Sequence, residues 1–238
     1  MTPSSPRLQN HLTRALEEGL SSALAQKSAH LALEHPVFPG SLSHDLRDFV
    51  QVYAQARRLR AGFEADLLLL ESLCGGKSSL RPGGVKSLER SLTKAEQRGI
   101  IPTDLLAGKV VMNSMQDVYH CAGLLEGQFS VVAFLDRFVS PMKSGYRDLQ
   151  FIVALEDEYG GQRSYHLAEV KIVHEDFDVL DRHEHRIYEI NRELAGESGS
   201  FGRIETMFLD ELRTLSQTLY GKLWTHIQSS ELSEDTPS

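Results

Sequence analysis

Leu8, Leu12, Leu16, Leu20 and Leu24 recur at every fourth position, the spacing of a helix with one apolar stripe. Pro36 and Pro39 end that pattern, because proline lacks the N–H that an interior helical turn requires. A second helix is expected from Ser43, with Asp45 in its first turn, through Leu46, Phe49, Val50, Tyr53, Phe63, Leu67 and Leu70 to a stop at Gly75-Gly76. Two N-terminal helices are thus expected. Gly75 to Gly84, rich in Gly, Ser and Lys and holding Arg81-Pro82, reads as an exposed loop, and helical spacing returns from Val85 to Arg98. Beyond Gly99 the pattern shortens to apolar runs at Leu105 to Met112, Phe129 to Leu135, Tyr146 to Leu155 and Tyr165 to Val173. These predict four strands, with Met115 to Leu125 a crossover helix between the first two and Gly160-Gly161 the tip of a hairpin joining the last two. Helical spacing resumes over Asp176 to Leu194, ending at Gly196. Ile204, Met207, Phe208, Leu212, Leu215, Leu219, Leu223 and Ile227 then mark a last amphipathic helix, suited to packing on the domain or on a second subunit. Ser229 to Ser238 is small, polar and acidic and reads as a disordered tail.

The predicted class is α/β in the α+β sense: a mixed sheet of four to five strands with flanking helices and helical extensions at both ends. The division is N-terminal helices over 1–76, a core over 77–195, a C-terminal helix over 196–228 and a tail over 229–238. A chain of 238 residues suits one substantial domain. Its 41% hydrophobic and 24% charged residues are those of a soluble globular protein, and a net charge of −8 offers no overall attraction to DNA. Cys74 and Cys121 stand far apart without metal-ligand spacing, so two reduced thiols are expected. No apolar run approaches the roughly 20 residues of a membrane span, and Met1 to Pro6 has no leader-like pattern. The expected location is the cytoplasm, with delivery into a target cell if the chain is toxin-like.

Strand side chains alternate between faces, which groups Tyr146, Asp148 and Gln150 on one side and Leu167, Glu169 and Lys171 together on the partner strand. A hairpin turning about Gly160-Gly161 pairs Glu169 near Ile152 and Lys171 near Gln150. The ordinary reading of such a face is a half-solvated sheet. A second carboxylate, Asp104, immediately before the first apolar strand, changes the picture, since two strand-end acids suit Mg²⁺, which takes one or two carboxylates plus substrate phosphate oxygens. Lys86, Arg90 and Lys94 at fourfold spacing, with Ser87 beside them, suit a triphosphate, and Gly83-Gly84 would let backbone approach it. His183 and His185 beside Glu184 read as surface residues, with Arg182 and Glu189.

In order along the chain, these segments resemble the synthetase domain of the RelA/SpoT family, including its small stand-alone alarmone synthetases and toxin-type relatives. The resemblance spans Gly84 to Glu189. Lys86-Ser87 with Lys94 resembles the family's ATP-side basic helix, and Asp104 through Lys109 its metal-binding aspartate and following strand. Pro141 through Ser144-Gly145-Tyr146-Arg147 resembles the segment whose tyrosine stacks on the acceptor base. Ala168-Glu169-Val170-Lys171-Ile172 resembles the strand of the essential glutamate, and Glu184-His185 with Tyr188 the helix after it. The chain departs from the pattern at Gly84 and Lys109, where arginines are usual, and at Met142, the usual lysine position, with Lys143 one residue later. It departs again at Asp148 and Gln150, which replace a small residue and a histidine, and at Val173, which replaces an arginine.

The resemblance implies a nucleotidyltransferase-like synthetase fold and a Mg²⁺-dependent pyrophosphokinase that moves pyrophosphate from ATP to the 3′-hydroxyl of an acceptor nucleotide. It implies Asp104 and Glu169 as catalytic and metal-binding residues, Lys86, Ser87, Arg90, Lys94 and Lys109 on the donor, and Lys143, Tyr146, Arg147, Gln150 and Lys171 on the acceptor. The expected partners are ATP and GDP or GTP, with a homo-oligomer through the terminal helices. The alternatives are a toxin-like enzyme acting on adenine nucleotides or the tRNA 3′ end, and an inactive nucleotide-binding or interaction module.

Overall fold

The computed structural model describes residues 6–44, 48–184 and 203–234. Three helices, not two, precede the sheet: α1 (Pro6–Glu17), α2 (Ser22–Glu34) and α3 (Phe49–Cys74). The leucine stripe crosses a break at Gly19, and Ser21 starts α2 by accepting a hydrogen bond from the Leu24 N–H at 3.4 Å. A repeat of four drifts by roughly 40° per step around a helix of 3.6 residues per turn, so the five leucines do not share one face; Leu20 and Leu24 are buried while Leu16 is exposed. Helix α3 begins at Phe49 rather than Ser43, and Asp45 and Leu46 lie outside the described residues. It ends, as expected, at Gly75.

The stretch after Gly76 is a strand, β1 (Lys77–Val85), where a loop was expected. It pairs antiparallel with β2 (Leu106–Met112) from Lys77↔Val111 to Leu80↔Gly108, slips, and rejoins at Val85↔Leu106. An edge strand needs ladder partners on one side only, so it tolerates the Pro82 and Gly83-Gly84 that resemble loop signals. Helix α4 (Leu88–Arg98) starts three residues later than expected because Ser87 is its N-cap. Lys86 therefore sits on the connector rather than on the helix.

The remaining order is β2, α5 (Met115–Gln128), β3 (Ser130–Asp136), β4 (Leu149–Tyr159), β5 (Gln162–His174), α6, of which residues 175–184 are described, and α7 (Arg203–Glu234). The sheet is five-stranded in the order β1-β2-β5-β4-β3. Strand β5 runs parallel to β2, and the other neighbours are antiparallel. The α5 crossover thus carries the chain past two strand positions, and the hairpin fills the gap. Gly160 and Gly161, at φ 62° and 77°, supply the left-handed pair that a two-residue hairpin turn requires. The register is the expected one, Ile152↔Glu169 and Gln150↔Lys171. Strand β4 begins at Leu149, so Tyr146 and Asp148 precede it. Helix α7 runs on through Ser229–Glu234, where a tail was expected; residues 235–238 lie outside the described residues.

Alternation in β2, β4 and β5 divides the sheet. Leu106, Val110, Met112, Leu149, Phe151, Val153, Ala168, Val170 and Ile172 are buried on the face against which α3 and α5 pack. Lys109, Gln150, Glu169 and Lys171 stand half-buried on the other. Burial of the first set, at roughly 1.5–3 kcal/mol for each fully buried large side chain, holds the second set in register. Both cysteines are free, and no described helix is long and apolar enough to cross a membrane.

Candidate active site

Asp104 lies in a short 3-10 turn, Thr103–Leu105, at the entrance to β2. Three cations from three places in the chain converge on it. Lys86 donates to both carboxylate oxygens, at 3.1 and 2.8 Å, Lys94 of α4 reaches Oδ1 at 3.4 Å, and Arg81 of β1 stands 3.7 Å from Oδ2 while donating to the Asp104 carbonyl. The Lys86 backbone is fixed on both sides: its N–H donates to the Leu105 carbonyl at 2.8 Å and its carbonyl accepts from the Tyr53 hydroxyl at 3.1 Å. Burial alone would raise the Asp104 pKa, but Lys86, Lys94 and Arg81 outweigh it and hold the carboxyl below its ordinary value. The Lys86 ammonium is also pushed down, because its own burial exceeds the help from Asp104.

Glu169 belongs to a second polar cluster on the open face. The Gln150 amide donates to Glu169 Oε2, and Lys171 stands 4.0 Å from Oε1 and 3.5 Å from Asp148 Oδ2. Arg137 closes the circuit, with Nη1 donating to Asp148 Oδ1 at 2.7 Å and Nη2 to Gln150 Oε1 at 2.6 Å. Burial opposes the Lys171 charge, yet Asp148 and Glu169 prevail and raise its pKa. The parallel ladder links the elements that carry the two clusters. Its first pair is Ala107↔Glu169, three residues on from Asp104, and the turn carrying Asp104 packs against β5.

The charge balance of the clusters differs. Three cations contact the single carboxylate of Asp104, whereas Arg137 and Lys171 face Asp148 and Glu169 in equal number. The first carries surplus positive charge beside an exposed helix start, and the second does not, for Asp181 adds a further negative charge acting on Lys171. Among the described residues no three His, Cys, Asp or Glu side chains gather as a metal cage, but Mg²⁺ carried by a nucleotide needs only one or two carboxylates.

The other expected site residues are distributed more widely. Ser87 is committed to capping α4 through the Arg90 N–H at 3.3 Å, and Arg90 is exposed. Lys109 shares the open face but pairs with Asp178 of α6. Lys143 is exposed at its side chain, and its carbonyl accepts from Gln217 of α7 at 2.7 Å. Tyr146 is buried, with Lys171 Nζ 5.5 Å from its ring centre and the rings of Phe177 and Tyr220 edge-on at 6.5 and 5.8 Å. Gly145, at φ 90°, lets α7 approach, for a Cβ there would lie 2.9 Å from Tyr220 Cβ. Arg147 points elsewhere: it donates to the Phe138 carbonyl, pairs with Glu18 at 2.8 Å and lies 4.7 Å from the Trp224 ring centre. It is a strut between the end of α1, α7 and the core. Gly84 adjoins Arg60 of α3. Glu184 accepts from Ser216 of α7 at 2.6 Å, and Arg182, read as a surface residue, pairs with Asp178 at 3.5 Å. His185, Tyr188 and Glu189 lie outside the described residues.

Arg81, Arg137 and Asp178 were not singled out in sequence. Arg81 was masked by the loop-like composition of β1. Arg137 had a signal, since the β3–β4 ladder reaches Asp136↔Leu149 and one further step sets Arg137 opposite Asp148; its N–H indeed donates to the Asp148 carbonyl at 2.9 Å.

No family model matches the sequence, and no curated protein matches it. Solved structures do. The small alarmone synthetase 1 of Bacillus subtilis, bound to its product pppGpp, superposes with a TM-score of 0.57 at 19% identity, covering 79% of this chain and 94% of that one. The small alarmone synthetase 2 of the same organism gives 0.55 at 20% identity, covering 80% and 100%. A GTP pyrophosphokinase family protein of Streptococcus pneumoniae gives 0.51 at 18%, covering 82% and 100%. The chain has the fold of the small alarmone synthetases.

Proposed function

We propose that this protein transfers pyrophosphate from ATP to the 3′-hydroxyl of a guanine nucleotide. The observation that carries the reading is the unequal charge of two adjoining clusters within this fold. A triphosphate donor suits the surplus cations around Asp104, because arginine and lysine bind phosphoryl oxygens with charge-assisted hydrogen bonds. The hydroxyl acceptor, which must lose a proton, suits the cluster around Glu169, where cations are not in surplus.

The donor set fits Mg²⁺ arriving with the nucleotide rather than alone. The Asp104 carboxyl is held ionised, but Arg81, Lys86 and Lys94 already engage it. The donor phosphates draw these cations off, and Asp104 and Glu169 are then the oxygen ligands available to the ion. Bound there, Mg²⁺ would neutralise charge on the transferring phosphoryl group. Arg81, Lys86 and Lys94 hold the donor; Glu169 accepts the proton of the acceptor hydroxyl, directly or through a water, as the hydroxyl oxygen bonds to the β-phosphorus, the bond from that phosphorus to the α-phosphate oxygen breaks, and AMP leaves. Catalysis of this kind rests on positioning two substrates and neutralising phosphoryl charge. Tyr146 receives the acceptor base only once Lys171 and the edge of α7 give way.

Incubation of the purified protein with labelled ATP plus GDP or GTP, with ATP alone, and with ATP plus tRNA tests the reading. Label is expected on the guanine nucleotide and is expected to vanish in Glu169→Gln while thermal unfolding stays cooperative. Label on adenine nucleotides or tRNA alone overturns the guanine acceptor, and no transfer to any acceptor overturns the activity.

A further inference from the structure

Arg137 has no place in the donor or acceptor sets, yet it bonds Gln150, which contacts Glu169, and Asp148, which contacts the Lys171 beside it. Its two terminal nitrogens bond different partners, Asp148 at 2.7 Å and Gln150 at 2.6 Å. The Asp148 side chain is fully buried and that of Arg137 only 13% exposed. A guanidinium donates and never accepts, so the Gln150 carbonyl oxygen must face Arg137. The amide nitrogen is thereby turned toward Glu169, where it donates to Oε2. The other branch acts through charge. Asp148 shares itself between Arg137 and Lys171, and Lys171 in turn lies between Asp148 at 3.5 Å and Glu169 at 4.0 Å.

We infer that Arg137 is a positioning residue for Glu169, orienting one carboxylate oxygen through Gln150 and regulating the hold of Lys171 on the other through Asp148. The inference rests on the reading of Glu169 given above and adds the residue that sets its geometry. A planar fork is required for it: lysine offers a point charge and cannot span the two acceptors in fixed directions. Without Arg137 the buried Asp148 has Lys171 as its remaining charged contact. Lys171 is then drawn from Glu169, and the Gln150 amide is free to flip and present its oxygen to a carboxylate.

The test uses full-length protein carrying Arg137→Lys, Arg137→Gln and the pair Arg137→Gln with Asp148→Asn. In steady-state transfer, each single variant is expected to lower kcat by about 10- to 100-fold, the loss associated with misplacing a reacting group by about an ångström. KM for ATP is expected to stay within about twofold, because Arg81, Lys86 and Lys94 are untouched. The pair is expected to recover part of the lost kcat, since a neutral residue 148 no longer draws Lys171 away. An equal fall in kcat and rise in KM, or a pair no faster than Arg137→Gln, overturns the inference. A second readout does not depend on turnover. In ¹H–¹⁵N spectra the Gln150 side-chain amide is expected to shift in both Arg137→Gln and Glu169→Gln. A Gln150 signal indifferent to Arg137→Gln overturns the inference even if the protein transfers pyrophosphate; a signal that moves with both sustains it even if no acceptor is found, which separates this failure from that of the proposed activity.

Discussion

Replacing Asp104 by asparagine keeps the shape of the side chain and removes the one negative charge that three cations share. Lys86 and Asp104 are 11% and 23% exposed at their side chains, and their charged atoms are 2.8 Å apart. Removing one partner of a buried pair costs about 3–5 kcal/mol, while an exposed pair is worth about 0–1. This half-buried pair falls between them, so a loss of about 1–3 kcal/mol is expected in urea unfolding at pH 7. The pH dependence identifies the source. The folded pKa of Asp104 is below its unfolded value, so its contribution is present above the unfolded value near 4 and is lost as pH falls through the folded one. The gap between wild type and Asp104→Asn should therefore close on acidification below about pH 4. Lys86 shifts in the opposite sense to a well-paired cation, because its burial outweighs its partner; the acid limb is thus the place to look. Calorimetry adds a functional signature. With the carboxylate gone, Arg81, Lys86 and Lys94 are free to bind phosphate, so metal-free ATP should bind about 10-fold more tightly, an electrostatic gain near 1.4 kcal/mol, while Mg²⁺-dependent transfer disappears. Unchanged stability together with unchanged metal-free ATP affinity would refute the assignment of these cations to the donor.

Gly145→Ala places a Cβ 2.9 Å from Tyr220 Cβ at φ 90°, and a left-handed alanine costs about 1–2 kcal/mol; urea unfolding should show that loss, with the fluorescence of the single tryptophan, Trp224, reporting displacement of α7. His166 is fully buried, and burial first, then His44, depress its pKa to about 3. Its contribution is complete above the unfolded value near 6.5 and is lost between there and about pH 3, at up to about 1.4 kcal/mol per pH unit. His166→Gln should flatten that slope, and an unaltered slope would place the acid sensitivity elsewhere.

What could be read from the sequence was whatever depends on local alternation. Val170 and Ile172 in, Glu169 and Lys171 out, follows from the pleat, and the glycine pair at 160 and 161 then sets the register of β4 against β5 to the residue. Tyr146 and Asp148 lie just outside β4, yet both keep to the side of Lys171, whose Nζ is 5.5 Å from the Tyr146 ring centre and 3.5 Å from Asp148 Oδ2, the side on which counting by twos from Gln150 sets them. The leucine stripe failed because regular spacing in sequence was allowed to run through Gly19, where the chain turns. Strand β1 was hidden because edge position, a tertiary fact, is what makes Pro82 tolerable in a strand.

The site was legible in its acids and less so in the groups that hold them. Asp104 and Glu169 stand out because two strand-end acids together suit Mg²⁺ beside phosphate, where either alone reads as an ordinary solvated carboxylate. Their partners do not, since Arg81 and Lys94 reach Asp104 across 23 and 10 residues of chain and Arg137 reaches Gln150, the partner of Glu169, across 13, and any surface arginine or lysine resembles another until the sheet order β1-β2-β5-β4-β3 brings particular ones together. That order has a consequence for the chemistry. Strand β5 is inserted beside β2, so the turn that carries Asp104 abuts the strand that carries Glu169, while β1 and β3 supply Arg81 and Arg137 from opposite edges. Each acid is thus held from its own side of the sheet. Substitution of Arg81 should therefore weaken ATP binding with little effect on the acceptor step, and substitution of Arg137 should do the reverse. A sheet that delivered both arginines to one acid would couple the two losses.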